Sequence, residues 1–257
     1  MKLIESRDNL LIKQLRGWAD QHGRAGAPVV LEGPHVCETW LARYGVPIYG
    51  LFDRDRLDDP RLAALVAALP EDRLIATPAR VLKLLGDAPS DQGVRFVVQP
   101  PVPELPSTLG EAAVLLDRLQ DPGNVGTILR SCAASGVRRV YLSDGCAAVW
   151  SSKVLRSAQG AHFSLNIHEH ADLGAVMARA TVPVLATTLE NAQDLYAASL
   201  PASAAWLFGN EGQGVQAALL AQATQRIRID HDRDAVESLN VAMAATLCLF
   251  EQRRRTL

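Results

Sequence analysis

Between Ala113 and Val137 the apolar run Ala113-Val114-Leu115-Leu116 ends in a turn built of Asp121, Pro122, Gly123 and Asn124, then passes into a helix-like segment. This corner constrains the fold more than any other part of the chain. A strand that feeds directly into a helix points to a crossover connection, and open α/β sheets hold their ligands at such carboxyl-end corners. The pattern recurs downstream. Arg139-Val140-Tyr141-Leu142, Leu165-Asn166-Ile167, Val182-Pro183-Val184-Leu185-Ala186, Ala205-Trp206-Leu207-Phe208 and Arg226-Ile227-Arg228-Ile229 are further strand candidates, with helical patterns between them. The expectation is an α/β fold with a mostly parallel sheet covered on both faces.

Upstream, the tract Gln99-Pro100-Pro101-Val102-Pro103-Glu104-Leu105-Pro106 reads as a linker, because proline cannot donate to a sheet ladder and stiffens the backbone. It suggests a domain at 1–98, a linker at 99–110 and a larger domain at 111–257. The first part also alternates. Leu10, Leu11, Leu15 and Trp18 predict a helix, Pro28-Val29-Val30-Leu31-Glu32-Gly33 a strand, Val36, Trp40 and Leu41 a helix, and Ile48 to Phe52 a strand. A helix through Leu62, Leu65 and Leu69, the pair Leu74-Ile75, a helix around Val81 to Leu85 and the strand Phe96-Val97-Val98 complete a small α/β sandwich.

The formal net charge of -2 means that a nucleic-acid surface must be a local patch. Arg253-Arg254-Arg255 is one candidate, and a solvated helix end is the alternative. Cys37, Cys132, Cys146 and Cys248 form no Cys-x-x-Cys pair and the opening residues do not read as a signal peptide, which fits a reducing cytoplasm. The apolar stretch from Leu239 to Phe250 is too short to span a bilayer, so no membrane is expected. His168 and His170 have no third ligand nearby and read as surface histidines, so no metal is expected.

Two more corners follow the first. Phe208-Gly209-Asn210-Glu211-Gly212-Gln213-Gly214-Val215 leaves main-chain amides uncovered, lacks the Lys-Ser/Thr of a P-loop, and carries in Glu211 a charge that suits a cationic or neutral ligand better than a phosphate. Glu237-Ser238-Leu239-Asn240-Val241 opens the last helix, with Ser238 as the expected N-cap. That helix is apolar all round: Leu239, Ala242, Met243, Leu247 and Phe250 on one side, Val241, Ala244, Ala245, Cys248 and Leu249 on the other. It must be covered by its own sheet or by a second subunit. In the first corner, Arg130 stands one turn after Gly126, and shares a site with Asn124 only if Asn124 lies in the loop.

Taken in order, Asp121 to Arg130, Leu207 to Val215, and Ser238 to Ala242 with Phe250-Glu251 resemble the three signature motifs of the SpoU (TrmH) family of RNA ribose 2′-O-methyltransferases, within the SPOUT superfamily. Leu155 to Phe163 resembles a further family segment. Ser6-Arg7-Asp8-Asn9, Lys13, Leu15 and Val29 to Gly33 resemble the family's L30e-like RNA-binding domain, a combination that points to ribosomal RNA more than to tRNA. The resemblance implies a deep trefoil knot, S-adenosylmethionine as cofactor and an obligate homodimer. It implies catalytic or substrate-positioning roles for Arg130, Asn124, Glu211, Ser238 and Asn240, and cofactor contacts from Gly209, Ile229, Leu239, Leu207 and Thr188. The segment Asp230 to Glu237 departs from the family's usual proline-methionine pair and glycine. Two other functions are weighed against this. A dinucleotide-dependent enzyme is disfavoured by the lack of a Gly-x-Gly-x-x-Gly after a first strand, and a non-catalytic RNA-binding scaffold by the presence of all five motif residues together.

Overall fold

The structure, a computed structural model, describes residues 1–86 and 92–256. The chain divides into two compact units, Met1–Pro101 with Ala148–Phe163, and Val102–Ala147 with Ser164–Leu257.

The first unit runs β1 (Lys2–Leu3), α1 (Leu10–Ala19), β2 (Val29–Glu32), α2 (Pro34–Tyr44), β3 (Tyr49–Asp53), α3 (Pro60–Ala67), β4 (Leu74–Thr77), α4 (Ala79–Leu82) and β5 (Val94–Val98). Its sheet has the order β1-β4-β3-β5-β2. β1, β4 and β3 are parallel, and β5 runs antiparallel to both β3 and β2. Asn9 opens α1 by accepting from the Leu11 N–H, and Asp59 opens α3 by accepting from the Arg61 N–H. Gly33, at φ 96°, turns β2 into α2, whose first residue is Pro34. Ile12 and Leu15 of α1 pack with Val30, Leu51, Ile75, Val97 and Leu85 as the core.

The segment at 148–163 returns to this unit from far along the chain. It carries α5 (Ser152–Ala158), capped by the Ser151 hydroxyl, and ends at Phe163. The Phe163 ring stands edge-on to Trp40 at 5.7 Å and to Tyr44 at 6.1 Å. The buried His162 ring bonds the Val149 carbonyl at 2.9 Å and lies 5.0 Å from the Trp150 ring. Sequence order alone assigns this segment to 111–257, because periodicity shows that residues are buried but not against what.

The second unit runs β6 (Ala113–Asp117), α6 (Pro122–Ser135), β7 (Arg139–Leu142), β8 (Asn166–His168), α7 (Leu173–Ala178), β9 (Val184–Thr187), β10 (Gln193–Asp194), β11 (Ala205–Gly209), α8 (Ala217–Leu220), β12 (Gln225–Arg228) and α9 (Val241–Thr256). The seven strands lie in the order β10-β12-β9-β11-β6-β7-β8, every neighbour parallel. Leu115, Leu207, Ala186, Leu173 and Met177 share one core layer. The expected mixed α/β class with a parallel sheet is what the chain adopts. The expected helix between β9 and β11 is absent, and the short edge strand β10 stands in that connection. His168 is buried, stacked on Tyr141 at 4.7 Å, so it is not a surface histidine; His170 is exposed and bonds Asp144.

α9 is covered on one face only. Ala242, Ala245, Cys248 and Leu249 are buried, and Thr246 shares a 2.7 Å hydrogen bond with Ser131 of α6. Met243, Leu247 and Phe250, at helical spacing on the other face, are 56, 40 and 43% exposed. Arg253 donates to the Ser135 carbonyl, Arg255 to the carbonyls of Leu195, Tyr196 and Ala198, and Arg254 to Glu251. Two of the three arginines are therefore fasteners for main-chain carbonyls. With both its neighbours on it, the Glu251 carboxyl is pulled down to about 2, by the hydrogen bonds from Arg254 and Arg255.

Candidate active site

In a parallel sheet all carboxyl ends share one edge. The register sets Gly209 opposite Asp117, Leu207 opposite Leu115 and Ala186, and Ile227 opposite Thr187, so the ends of β6, β11, β9 and β12 lie side by side. The three motif corners open from this edge or abut it.

The first corner is set by Asp121, whose carboxylate accepts from the Asn124 N–H at 2.7 Å and caps α6. Asn124 is consequently helical, in the first turn, and not in the loop. Arg130 follows six residues later. At ~100° and ~1.5 Å per residue the two side chains project about 120° apart and about 9 Å along the axis. Arg130 is exposed, and among the described residues its guanidinium has no hydrogen-bond or ion-pair partner.

The second corner carries Glu211. Its carboxylate accepts from the Asn124 Nδ2 at 3.1 Å and from the main-chain N–H of Asp121 and Gln120 at 3.3 and 3.4 Å. Partial burial would raise its pKa, but the donors from Asn124, Asp121 and Gln120 outweigh this and hold it below the ordinary glutamate value. The group is an anion at neutral pH. Gly209 is glycine for a local reason: a Cβ there would stand 2.1 Å from the Val215 nitrogen and 2.2 Å from the Gly214 carbonyl carbon. The close approach that the motif allows is made by the loop's own backbone.

At the third corner Asn240, not Ser238, caps α9. Its Oδ1 accepts from the N–H of Ala242 and Met243, and its Nδ2 donates to Asn124 Oδ1 at 2.9 Å. Both residues are good caps by type; the bond to Asn124 selects Asn240. Ser238 is exposed in the loop that precedes it.

Asn240, Asn124 and Glu211 thus form one hydrogen-bonded chain whose two bonds join residues 116 and 87 positions apart. Each asparagine amide donates to the next acceptor, and the chain ends on a carboxylate.

Of the other named positions, Thr188 follows β9 and donates its N–H to Ile227. Leu207 is buried two residues inside β11, with its carbonyl accepting from the Thr187 hydroxyl at 3.3 Å. Ile229 is buried just after β12, and Leu239 is half-buried just before α9. The Ile229 carbonyl accepts from His231 Nδ1 at 2.9 Å, and among the described residues His231 Nε2 is buried with no hydrogen-bond partner. With Nδ1 donating, Nε2 is an open acceptor beside the strand ends. The departing segment from Asp230 to Glu237 is solvent-exposed apart from His231 and turned by the Asp232 side chain, which accepts from Asp234 and Ala235. No group of three or more His, Cys, Asp or Glu among the described residues is placed to hold a metal, and no described helix is long and apolar enough to cross a membrane.

Sequence reasoning passed over Asp117, Arg118 and Gln216. Asp117 is fully buried at the end of β6 and accepts from the Gln216 N–H at 2.8 Å, from Gln216 Nε2 at 2.7 Å and from Arg118 Nε at 3.1 Å. The only signal in the sequence is an acid closing an otherwise apolar strand.

Comparison with known proteins agrees with this geometry. Residues 111–250 match the model of the SpoU rRNA Methylase family. The chain is 32% identical to an uncharacterized tRNA/rRNA methyltransferase of Synechocystis, covering 98% of this chain and 93% of that protein. It is 31% identical to the 23S rRNA (guanosine(2553)-2′-O)-methyltransferase RlmP of Bacillus subtilis, covering 98% of this chain and all of that one. An rRNA methyltransferase of Sinorhizobium meliloti superposes with a TM-score of 0.85 at 26% identity over 100% of this chain and 98% of that chain. The methyltransferase AviRb of Streptomyces viridochromogenes, solved in complex with AdoMet, superposes at 0.81 and 26% identity over 96% of this chain and 98% of that chain. The chain belongs to the SpoU rRNA methylase family.

Proposed function

We propose that this protein transfers a methyl group from S-adenosylmethionine to the 2′-hydroxyl of a ribose in structured RNA, ribosomal RNA before tRNA. The observation that carries the reading is the Asn240–Asn124–Glu211 chain, which gathers the three motif corners at the carboxyl edge of the parallel sheet. The residues fit the cofactor: Gly209, Ile229 and Leu239 offer main chain, His231 Nε2 offers an open acceptor for a hydroxyl or amino donor, and the ionised Glu211 suits a cationic ligand. When bound, S-adenosylmethionine supplies a methyl group activated by the sulfonium charge.

The chain's own residues must bind the ribose, hold its oxygen in line and stabilise the charge that develops as its proton leaves. Arg130 suits that last task. A guanidinium stays protonated, so it acts as an electrostatic partner of the alkoxide and of a neighbouring phosphate and not as a base. A 2′-hydroxyl exists only in RNA, which sets the substrate class.

Arg130 and Asn124 leave α6 on different faces, and in this reading they serve a single ribose from two protomers. A homodimer provides this, with the exposed Met243, Leu247 and Phe250 stripe of α9 as its apolar contact and Arg130 reaching the neighbouring copy's cleft. The same reading includes a deep trefoil knot near the C-terminus, an L30e-like RNA-binding role for the N-terminal unit, Ser238 positioning the substrate, Thr188 and Leu207 contacting the cofactor, and work in a reducing cytoplasm, where all four cysteines stay free.

The test is transfer of labelled methyl to ribosomal and transfer RNA, with the product mapped as 2′-O-methylribose. Arg130→Ala is expected to lose at least about a hundredfold in turnover while its S-adenosylmethionine Kd stays within threefold. Near-full methylation by that variant removes Arg130 from the chemistry, and methyl found on a base removes the reaction class.

A further inference from the structure

Three anchors tie the 210–216 loop to two consecutive residues at the end of β6. Asn210 Nδ2 donates to the Arg118 carbonyl at 2.9 Å, Arg118 Nη1 donates to Gln213 Oε1 at 2.8 Å, and both Gln216 nitrogens donate to Asp117. Arg118 has φ 55°, the left-handed region that residues with a Cβ rarely enter. It is held there by the Asp117 carboxylate on its Nε and by the Ser143 hydroxyl on its N–H. Glu211 lies between the first two anchors. Every polar contact that presents it to Asn124 therefore depends on a loop whose footing is a buried aspartate.

We infer that Asp117 is a positioning residue, which holds the 210–216 loop down so that the Glu211 carboxylate reaches Asn124. It touches neither the ribose nor the cofactor in this role. It acts through Arg118 and Gln216, and it rests on the methyltransferase reading only for the consequence to turnover. The chemistry is specific to a carboxylate. Three N–H donors converge on its two oxygens, and an amide presents only one oxygen, so Asp117→Asn must set an NH2 against at least one donor.

Hydrogen–deuterium exchange on the full-length chain tests this alongside methyl-transfer kinetics. For Asp117→Asn the amides of 210–216 are expected to exchange at least tenfold faster, and kcat to fall at least tenfold with KM for RNA within threefold. Gln216→Ala keeps its main-chain N–H on Asp117, loses only the side-chain bond, and is expected to move both readouts the same way by a smaller factor at an unchanged Tm. It decides the matter if Asp117→Asn does not fold. Unchanged exchange of 210–216 in the folded variant overturns the inference, as does faster exchange with unaltered kcat. A wild-type chain that methylates no RNA overturns the function instead, and the exchange comparison still reads the anchor.

Discussion

Acidification should loosen the first unit through one histidine. His162 is buried, its Nε2 donates to the Val149 carbonyl, and among the described residues its Nδ1 has no partner. Burial pushes its pKa down to about 4, the bond to Val149 offsetting only part of the loss of water. A group whose folded pKa lies below its unfolded value of about 6.5 binds its proton more readily in the unfolded chain. Stability is therefore complete above pH 6.5 and declines as pH falls toward 4. Linkage between about 6.5 and about 4 gives a loss of roughly 1 kcal/mol at pH 5.5 and roughly 2–3 kcal/mol at pH 4.5, with a limit of about 3 kcal/mol. His162→Gln keeps an N–H donor for Val149 and cannot take a proton. Guanidinium unfolding of both proteins at pH 7.5, 5.5 and 4.5, followed by tryptophan fluorescence, to which Trp150 beside the ring contributes, should show the wild-type advantage shrinking by these amounts. A difference between the two that stays constant across the three pH values refutes the reasoning, because every other titrating group is common to both.

Asn240→Asp retains the cap on α9 but has no amide to donate to Asn124; its Tm should stay within about 2 °C, a shift of less than ~1 kcal/mol, while methyl transfer drops at least about tenfold, measured by calorimetry and labelled-methyl assay. Gly209→Ala forces a methyl group into the Gly214–Val215 backbone and should cost about 1–3 kcal/mol or more in chemical unfolding, with loss of S-adenosylmethionine binding by calorimetry. Leu247→Glu places a charge in the exposed stripe of α9; sedimentation should find a monomer with an intact fold and no turnover, whereas an unaltered dimer would place the contact elsewhere.

The architecture was readable where residues bury on both faces of a strand. Val114 to Leu116 and Trp206 to Phe208 announce themselves as continuous apolar runs, and all six runs named in the second half became strands. β1 and β10 escaped because two residues, Lys2-Leu3 and Gln193-Asp194, carry no periodicity. The antiparallel direction of β5 is a property of its pairing with β2 and β3 and leaves no mark in Val94 to Val98. The site divides in the same way. Asn124, Glu211 and Asn240 stood out because glycine-rich or cap-bearing corners surround them. Asp117 did not, since its meaning comes from Gln216, a residue 99 positions away. The choice of Asn240 over Ser238 as cap was likewise made by a tertiary partner.

The return of residues 148–163 to the first unit has a practical corollary for anyone dissecting the protein. Cutting at the proline-rich tract looks natural, yet a fragment ending at Pro101 would leave Trp40 and Tyr44 without the Phe163 ring that stands on them. The complementary fragment would carry Trp150, Val154, Leu155 and Phe163 stripped of their cover, a sticky strip prone to clumping. The polypeptide passes between the two bodies three times, at 101–102, 147–148 and 163–164. They are laced, and neither half can be lifted out with a single cut.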